Sequence, residues 1–173
     1  LRQRKGLPRD EARELLTHRH YLGPMMVRMG DADGLIGGLI HKYSDTVRPA
    51  LQTIGLDARA RLAAGMYMMV FKSELMFFAD PVINIEPSAE DLAEIALCTA
   101  ETARSFDVEP RVAMLSFSNF GSSRHPQADK VRRATQIIRQ RAPDLEVEGE
   151  MQADLALTPA MLEEAYPFAD LSG

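Results

Sequence analysis

The apolar run from Arg111 to Ser118, together with the polar segment and the helical pattern behind it, limits this chain to few fold classes. A run of strand length without polar alternation is typical of a strand in a parallel sheet that is covered on both faces. Residues 119–125 are polar, and Pro126 is placed to begin a helix to about Arg141, since proline is favoured at the first helical position. Strand, loop and helix in this order predict a βα unit.

Helix and strand patterns alternate along the rest of the chain. After Ser88 we expect a long helix, because Ser88 and Asp91 form a Ser-x-x-Asp capping box and apolar residues then follow one helical face. We also expect two capped helices, Asp10–His18 with Asp10 as the cap and Pro159–Ala165 with Thr158 as the cap. Short elements at Met25–Met29 and Leu35–Ile40 are expected to be joined by a glycine-containing turn. A buried hairpin of Gly65–Phe71 and Leu75–Ala79 around Lys72-Ser73-Glu74 and a strand region within Val147–Leu157 complete the predicted elements. The alternation predicts an α/β fold with a parallel or mixed sheet and flanking helices.

The composition of the chain indicates its cellular compartment and argues against two classes of partner. The 173 residues carry a formal charge of -5, so the chain lacks the overall basic balance that phosphate neutralisation by a nucleic-acid-binding protein needs. The single cysteine, Cys98, allows no internal disulfide, and no apolar run approaches the roughly 20 residues of a membrane span. We therefore expect a cytoplasmic protein with no nucleic-acid partner and no membrane partner.

The two ends of the chain predict that it is a fragment. It begins at Leu1 without a methionine and stops at Gly173. We expect residues 1–173 to be an internal piece of a longer protein, so that any site that borrows residues from outside this piece is incomplete in it.

The loop that follows the apolar run is the first candidate binding site. Ligands of open α/β sheets bind at the carboxyl ends of the strands, and the N–H groups at a helix start favour anions. The candidate anion-binding residues are Ser116, Ser118, Asn119, Gly121, Ser122, Ser123, Arg124 and Lys130. The alternative is an ordinary βα loop with serine caps and a solvated basic helix face.

Two further segments each allow a binding interpretation and a structural interpretation. Arg48 stands before Pro49 and between short apolar elements, and arginine is the natural bidentate partner of phosphate or carboxylate, although its spacing alone favours a surface salt bridge. Gly37-Gly38 indicates either close backbone packing or the approach of a ligand. The four histidines lack metal-ligand spacing with carboxylates, so no metal site is predicted.

Several segments resemble the phosphate acetyl/butyryl transferase family. They are Arg111–Ser118 with Gly121-Ser122, Ala142–Leu145, Gly149–Asp154, Gly30–Gly34, the Arg48 segment, and Ala79-Asp80 leading to Ile83-Asn84. Within the family, Ser118-Asn119-Phe120-Gly121-Ser122 stands where active transferases usually read Ser-Thr-Lys-Gly-Ser. This loop, Gly149–Met151 and Tyr166–Phe168 resemble the C-terminal phosphotransacetylase-like domain of bacterial NADP-dependent malic enzymes, whereas the Arg48 segment is closer to the transferases.

The resemblance implies a partial unit of the phosphotransacetylase fold, which is shared with isocitrate and isopropylmalate dehydrogenases, and a homo-oligomer built from dimers. It implies a regulatory domain that senses acetyl-CoA, in a parent that oxidatively decarboxylates malate to pyruvate with NADP and a divalent metal held in domains absent from this chain. The alternative is an active phosphate acetyltransferase that uses acetyl phosphate and CoA, in which the resemblance implies that Arg48 takes part in binding or catalysis. The family's Ser-Arg catalytic motif would lie beyond Gly173.

Overall fold

A computed structural model describes residues 2–58, 60–72, 74–169 and 171. The chain forms two compact units, Leu1–Ala60 and Arg61–Gly173. Leu1 and Gly173, on which the fragment expectation depends, and Ser73 of the predicted hairpin loop lie outside the described residues. Within the described ranges, no helix combines the length and the apolar character needed to cross a membrane.

The first unit is helical. A 3-10 turn at Gln3–Lys5 precedes helices α1 (Arg9–Leu15), α2 (Arg19–Met29) and α3 (Tyr43–Thr53). The hydroxyl of Tyr21 donates to Oε1 of Gln52 at 3.0 Å, and this bond joins α2 to α3. Helix α1 confirms the predicted short helix, but Asp10 lies in its first turn and the N-cap residue is Pro8, which has no side chain to cap with.

The two apolar elements predicted in this unit are wrong. Met25–Met29 is the second half of α2, which continues past Pro24, and Leu35–Ile40 forms neither helix nor strand. The turn predicted at Gly30 exists for another reason: Gly30 adopts φ 81° and ends the helix, while the N–H of Asp31 donates to the carbonyl of Met26 at 2.9 Å. A five-residue apolar run has no period long enough to separate a strand from half a helix.

The second unit begins with the predicted hairpin. Strands β1 (Met66–Val70) and β2 (Leu75–Ala79) pair antiparallel, with Met66 opposite Ala79. The prediction that this hairpin is buried is wrong, since Tyr67 and Val70 are exposed and the remaining strand residues are exposed or half-buried.

Two long helices and a parallel strand pair make up the main core. Helices α4 (Ala89–Arg104) and α5 (Pro126–Arg141) pack on each other and on strands β3 (Arg111–Leu115) and β4 (Glu146–Met151). The predicted capping box of α4 is confirmed, with Ser88 and Asp91 bonded in both directions at 3.1 Å. The main core consists of Ala89, Ala93, Ala96, Ala100, Met114, Ala134, Ile138, Leu145 and Val147. Alanines dominate because they allow the two helices to approach closely.

Strand β3 is shorter and less covered than its sequence predicts. It ends at Leu115, which is 46% exposed, and among the described residues it pairs only with β4. Beyond β4, helices α6 (Ala153–Ala156) and α7 (Pro159–Ala165) follow. The predicted bounds of α7 are confirmed, but Thr158 makes no capping bond with its side chain.

Candidate functional site

The loop from Ser116 to His125 joins β3 to α5, and the backbone N–H groups of six consecutive residues in it are all hydrogen-bonded. The N–H groups of residues 118–123 donate, in order, to Ser116 Oγ, Ser122 Oγ, the Glu150 carbonyl, Glu150 Oε1, the Asn119 carbonyl and Ser118 Oγ, at 2.7–3.3 Å. Every one of these acceptors belongs to the protein. The expectation that these N–H groups are open to an external anion is therefore wrong for residues 118–123.

The carboxylate of Glu150 lies at the centre of the loop. Its Oε1 accepts from the hydroxyl of Ser118 at 3.1 Å and from the N–H of Gly121 at 2.7 Å. Arg132 of helix α5 donates to both oxygens, with Nη2 at 2.9 Å from Oε1 and Nε at 3.0 Å from Oε2. Glu150 is fully buried. An internal carboxylate thus accepts hydrogen bonds from loop groups that the sequence had indicated for an external anion.

A bulge in strand β4 brings Glu150 to this place. Met114 pairs with Gly149 and Leu115 pairs with Met151, so Glu150 is an extra residue on β4. Gly149 adopts φ 138°, and a Cβ at Gly149 would lie 2.5 Å from the carbonyl oxygen of Met114. Glycine is therefore required beside the bulge.

Hydrogen bonding keeps Glu150 charged in spite of its burial. Burial raises the pKa of the carboxyl, but the donors from Arg132, Gly121 and Ser118 lower it more, so the net pKa lies below its usual value. The same pairing raises the pKa of Arg132, which also donates to Asp129 at 2.9 Å. The pair is ionised at neutral pH.

A side-chain amide pair fixes the start of the loop. Asn119 donates through Nδ2 to Oε1 of Gln152 at 2.9 Å and accepts at Oδ1 from the Gln152 N–H at 2.6 Å. Phe120 has φ 46°, and its ring lies 4.8 Å from that of Tyr166 and 5.2 Å from that of Phe168. The loop is thus held by strand β4 on one side and by the aromatic residues after α7 on the other.

A cavity of about 340 Å³ adjoins this network. It is lined by Phe120, Arg132, Thr135, Gln136, Arg139, Glu148, Gly149, Glu150 and Phe168. Its two arginines are each paired with a glutamate, Arg132 with Glu150 and Arg139 with Glu148. The charges of these two arginines and two glutamates therefore compensate each other within the cavity lining.

The structure divides the predicted site residues into two sets. Ser118, Asn119, Gly121 and Ser122 are brought together, and their polar groups bond to one another or to strand β4. Ser116 and Ser123 are half-buried, Arg124 is exposed and Lys130 is half-buried, and among the described residues no ion pair joins either cation. Within this second set, Ser116 Oγ already accepts from the N–H of Ser118, whereas the side chains of Ser123, Arg124 and Lys130 accept from none of the loop N–H groups at residues 118–123.

Arg48 lies in the other unit. It belongs to helix α3 and is not between two apolar elements, as its sequence had indicated. It is exposed, and within the described ranges it makes no hydrogen bond or ion pair, whereas Pro49 beside it is buried. The surface salt bridge that was its alternative explanation is absent from the described part of the chain.

The roles of Glu150 and Arg132 are missing from the sequence predictions. Arg132 is not singled out there, and Glu150 appears only within the Gly149–Asp154 segment of the family resemblance. A usable signal existed: Glu146, Glu148 and Glu150 alternate in a predicted strand region, and a buried charge requires a partner. Arg132 and Glu150 are 18 positions apart in the sequence, so no local pattern identifies that partner.

Comparison with known proteins gives a consistent result. The family model for phosphate acetyl/butyryl transferases matches residues 1–173. Phosphate acetyltransferase of Bacillus subtilis is 44% identical over 99% of this chain and 53% of its own length. A phosphotransacetylase structure from Streptococcus pyogenes superposes with a TM-score of 0.86 and 44% identity, over 98% of this chain and 53% of that one.

A third relative has a different activity in its name. NADP-dependent malic enzyme of Escherichia coli is 40% identical over 99% of this chain but only 23% of its own length. This chain thus spans about half of the Bacillus and Streptococcus relatives and about a quarter of the malic enzyme. Its α/β fold of small sheets and flanking helices matches the solved phosphotransacetylases, and the chain belongs to the phosphate acetyl/butyryl transferase family.

Proposed function

We propose that this chain is part of a phosphate acetyltransferase, which moves an acetyl group between acetyl phosphate and CoA. Relatives that carry this name match nearly its whole length. The observation that carries the proposal is Arg48, an exposed guanidinium without a hydrogen-bond or ion-pair partner among the described residues. An unpaired arginine on a helix is suited to bind a phosphate through two parallel hydrogen bonds.

The reaction needs charge stabilisation and positioning more than it needs a protein nucleophile. The thiol sulfur of CoA forms a bond to the acetyl carbon, the bond from that carbon to the phosphate oxygen breaks, and the thiol proton ends on the released phosphate. Arg48 would stabilise the charge that develops on the phosphate. The side chains of Ser116, Ser123, Arg124 and Lys130 are candidate contacts for the phosphates of CoA.

Substitution of Arg48 in the full-length protein tests this role. We expect Arg48→Ala to lower kcat/KM for acetyl-CoA formation by roughly 10²-fold, which is the usual effect of removing one donor to a developing charge. Thermal stability should be unchanged, because Arg48 is exposed and bonds to no described residue. Initial rates from acetyl phosphate and CoA and a thermal melt provide the two measurements.

Arg19→Ala is the matched control. Arg19 is also an exposed arginine on a helix of the same unit, and it too makes no hydrogen bond with the described residues. It should retain wild-type kinetics. An equal loss of kcat/KM in both variants would show that only the net charge of the protein matters. An Arg48→Ala variant with wild-type kcat/KM would refute the proposed role.

The second candidate is an acetyl-CoA-sensing regulatory domain of an NADP-dependent malic enzyme. Asn119-Phe120 favours it, because Phe120 stands where active transferases usually have lysine and packs against Tyr166 and Phe168. NADP and a divalent metal would then bind in domains outside this chain. A full-length protein that oxidises malate with NADP, responds to acetyl-CoA and makes no acetyl-CoA from acetyl phosphate would establish this candidate over the first.

The proposal includes three properties of the whole protein. They are the fold shared with isocitrate and isopropylmalate dehydrogenases, assembly from dimers, and a place in the cytoplasm. Family membership supports the first two, and the single cysteine supports the third. Light scattering on the full-length protein tests the dimer.

A further inference from the structure

Strand β4 and helix α5 are joined by two similar ion pairs. Glu148 accepts from Arg139 Nη2 at 2.6 Å, and Glu150 accepts from Arg132 Nη2 at 2.9 Å. Both glutamates are buried, at 5% and 0% exposure, and both arginines are partly exposed. Because each pair joins a buried glutamate of β4 to a partly exposed arginine of α5, Glu148 serves as the matched reference for Glu150.

The two pairs differ in what else the glutamate holds. Glu148 also accepts from the N–H of Gly149, its own neighbour in the strand, at 3.1 Å. Glu150 instead reaches across to the loop, where it binds the hydroxyl of Ser118 and the N–H of Gly121. Through Ser118 the network continues to the N–H of Ser123 at 3.1 Å and to the hydroxyl of Ser122 at 3.2 Å.

We infer that Glu150 is a positioning residue, an internal anion that occupies the loop and thereby fixes Ser116, Ser123 and Arg124 in the arrangement that contacts CoA. This inference rests on the proposed function, since it assigns these side chains to the ligand. Both oxygens of the buried Glu150 carboxylate already accept from protein donors, so the role that we assign to it is to hold the loop. The loop backbone then serves as a rigid support, and recognition belongs to its side chains.

Neutralising Glu150 should release this support. In Glu150→Gln an NH₂ group replaces one carboxylate oxygen, and this group cannot accept a hydrogen bond. It faces either the donors of Arg132 or the N–H of Gly121, so one donor at this buried position loses its acceptor. The loop side chains bind CoA alike in the ground state and in the transition state, and loss of such uniform binding raises KM with little change in kcat. We expect KM for CoA to rise roughly tenfold, the effect of about one lost charge-assisted hydrogen bond.

The experiment compares Glu150→Gln with Glu148→Gln in the full-length protein. Both variants remove the buried charge that pairs with a partly exposed arginine, and both should lower the thermal midpoint. Only Glu150→Gln should raise KM for CoA, and only this variant should speed hydrogen exchange in the peptide that covers residues 118–123. Titration with acetyl-CoA supplies the binding constant if the wild type lacks transferase activity.

The outcomes separate the inference from the proposed function. A wild type without transferase activity refutes the proposed function, and a weaker acetyl-CoA affinity in Glu150→Gln alone would still support the positioning role. Equal changes of KM or affinity in both variants would show a purely structural ion pair and overturn the inference. Wild-type kinetics and exchange in Glu150→Gln, or a wild type that binds no acetyl-CoA at all, would overturn it as well.

Discussion

Two carboxylates of this chain hold loops by accepting several hydrogen bonds each. Besides Glu150, Asp80 accepts from the N–H groups of Gly65, Val82, Ile83 and Asn84 at 2.7–3.1 Å. Burial raises the pKa of Asp80, but these backbone donors and the Asn84 side chain lower it more, so the net pKa is depressed, as it is for Glu150. Both groups favour the folded state in their charged form.

These shifts predict a loss of stability in acid. A carboxyl with a lower pKa in the folded state stabilises fully above its unfolded pKa, about 4.3 for glutamate, and loses this contribution as pH falls through the folded value. The stability difference between wild type and Glu150→Gln should therefore be largest at neutral pH and should shrink below about pH 4. Urea unfolding at several pH values measures it.

Glu164→Gln is the control for this series. Glu164 is exposed and makes no hydrogen bond with the described residues, so its substitution should leave the pH profile of stability unchanged. A Glu150→Gln penalty that stays constant down to about pH 3 would mean that the charge of Glu150 contributes nothing.

At the scale of the element, the start of helix α4 carries a testable contribution. Ser88 Oγ accepts from the Asp91 N–H at 3.1 Å, and the Asp91 side chain accepts in return from the Ser88 N–H. We expect Ser88→Ala to lower the free energy of unfolding by about 1 kcal/mol, the usual value of an N-cap. Thr158 occupies the same position before α7 without a capping bond. Thr158→Ala should therefore cost less than about 0.5 kcal/mol, and equal costs would refute the assignment.

Elements with a chemical start signal were predictable, and those defined by tertiary contacts were not. The capping box of Ser88 and the prolines at 126 and 159 mark the first turns of α4, α5 and α7, because these signals act within one turn. Met25–Met29 carries no such signal, and its sequence predicts a separate short element where the structure has the second half of α2. In the site, the loop position followed from the βα order, but the bulge that turns Glu150 inward depends on pairing with β3.

At the scale of the whole chain, buried apolar residues are distributed unequally. Among the described residues, every buried apolar side chain of the two core clusters belongs to Arg61–Gly173. In Leu1–Ala60 the described buried residues are Pro24, Pro49 and Thr53, while Ile36, Leu39 and Ile40 are at least 78% exposed. The second unit has a core of its own, whereas the described residues of the first unit form no buried apolar cluster.

This difference predicts how the two units behave when they are separated. Residues 61–173 expressed alone should give a cooperative urea transition, because their core needs nothing from the first unit. Residues 1–60 alone should unfold gradually without a cooperative transition, since small units without a core are marginal. The complete chain is the reference, and a sharp transition in the isolated first unit would contradict this account.

The hydrogen-bonded loop also determines where protein engineering can succeed. The N–H groups of residues 118–123 all donate to acceptors within the protein. The path of the loop backbone is therefore set by Ser118, Gly121 and Glu150. A library that randomises these three positions would mostly sample misfolded loops. A library confined to Ser123 and Arg124, whose side chains accept from none of these N–H groups, would keep the path and change the chemistry that the loop displays.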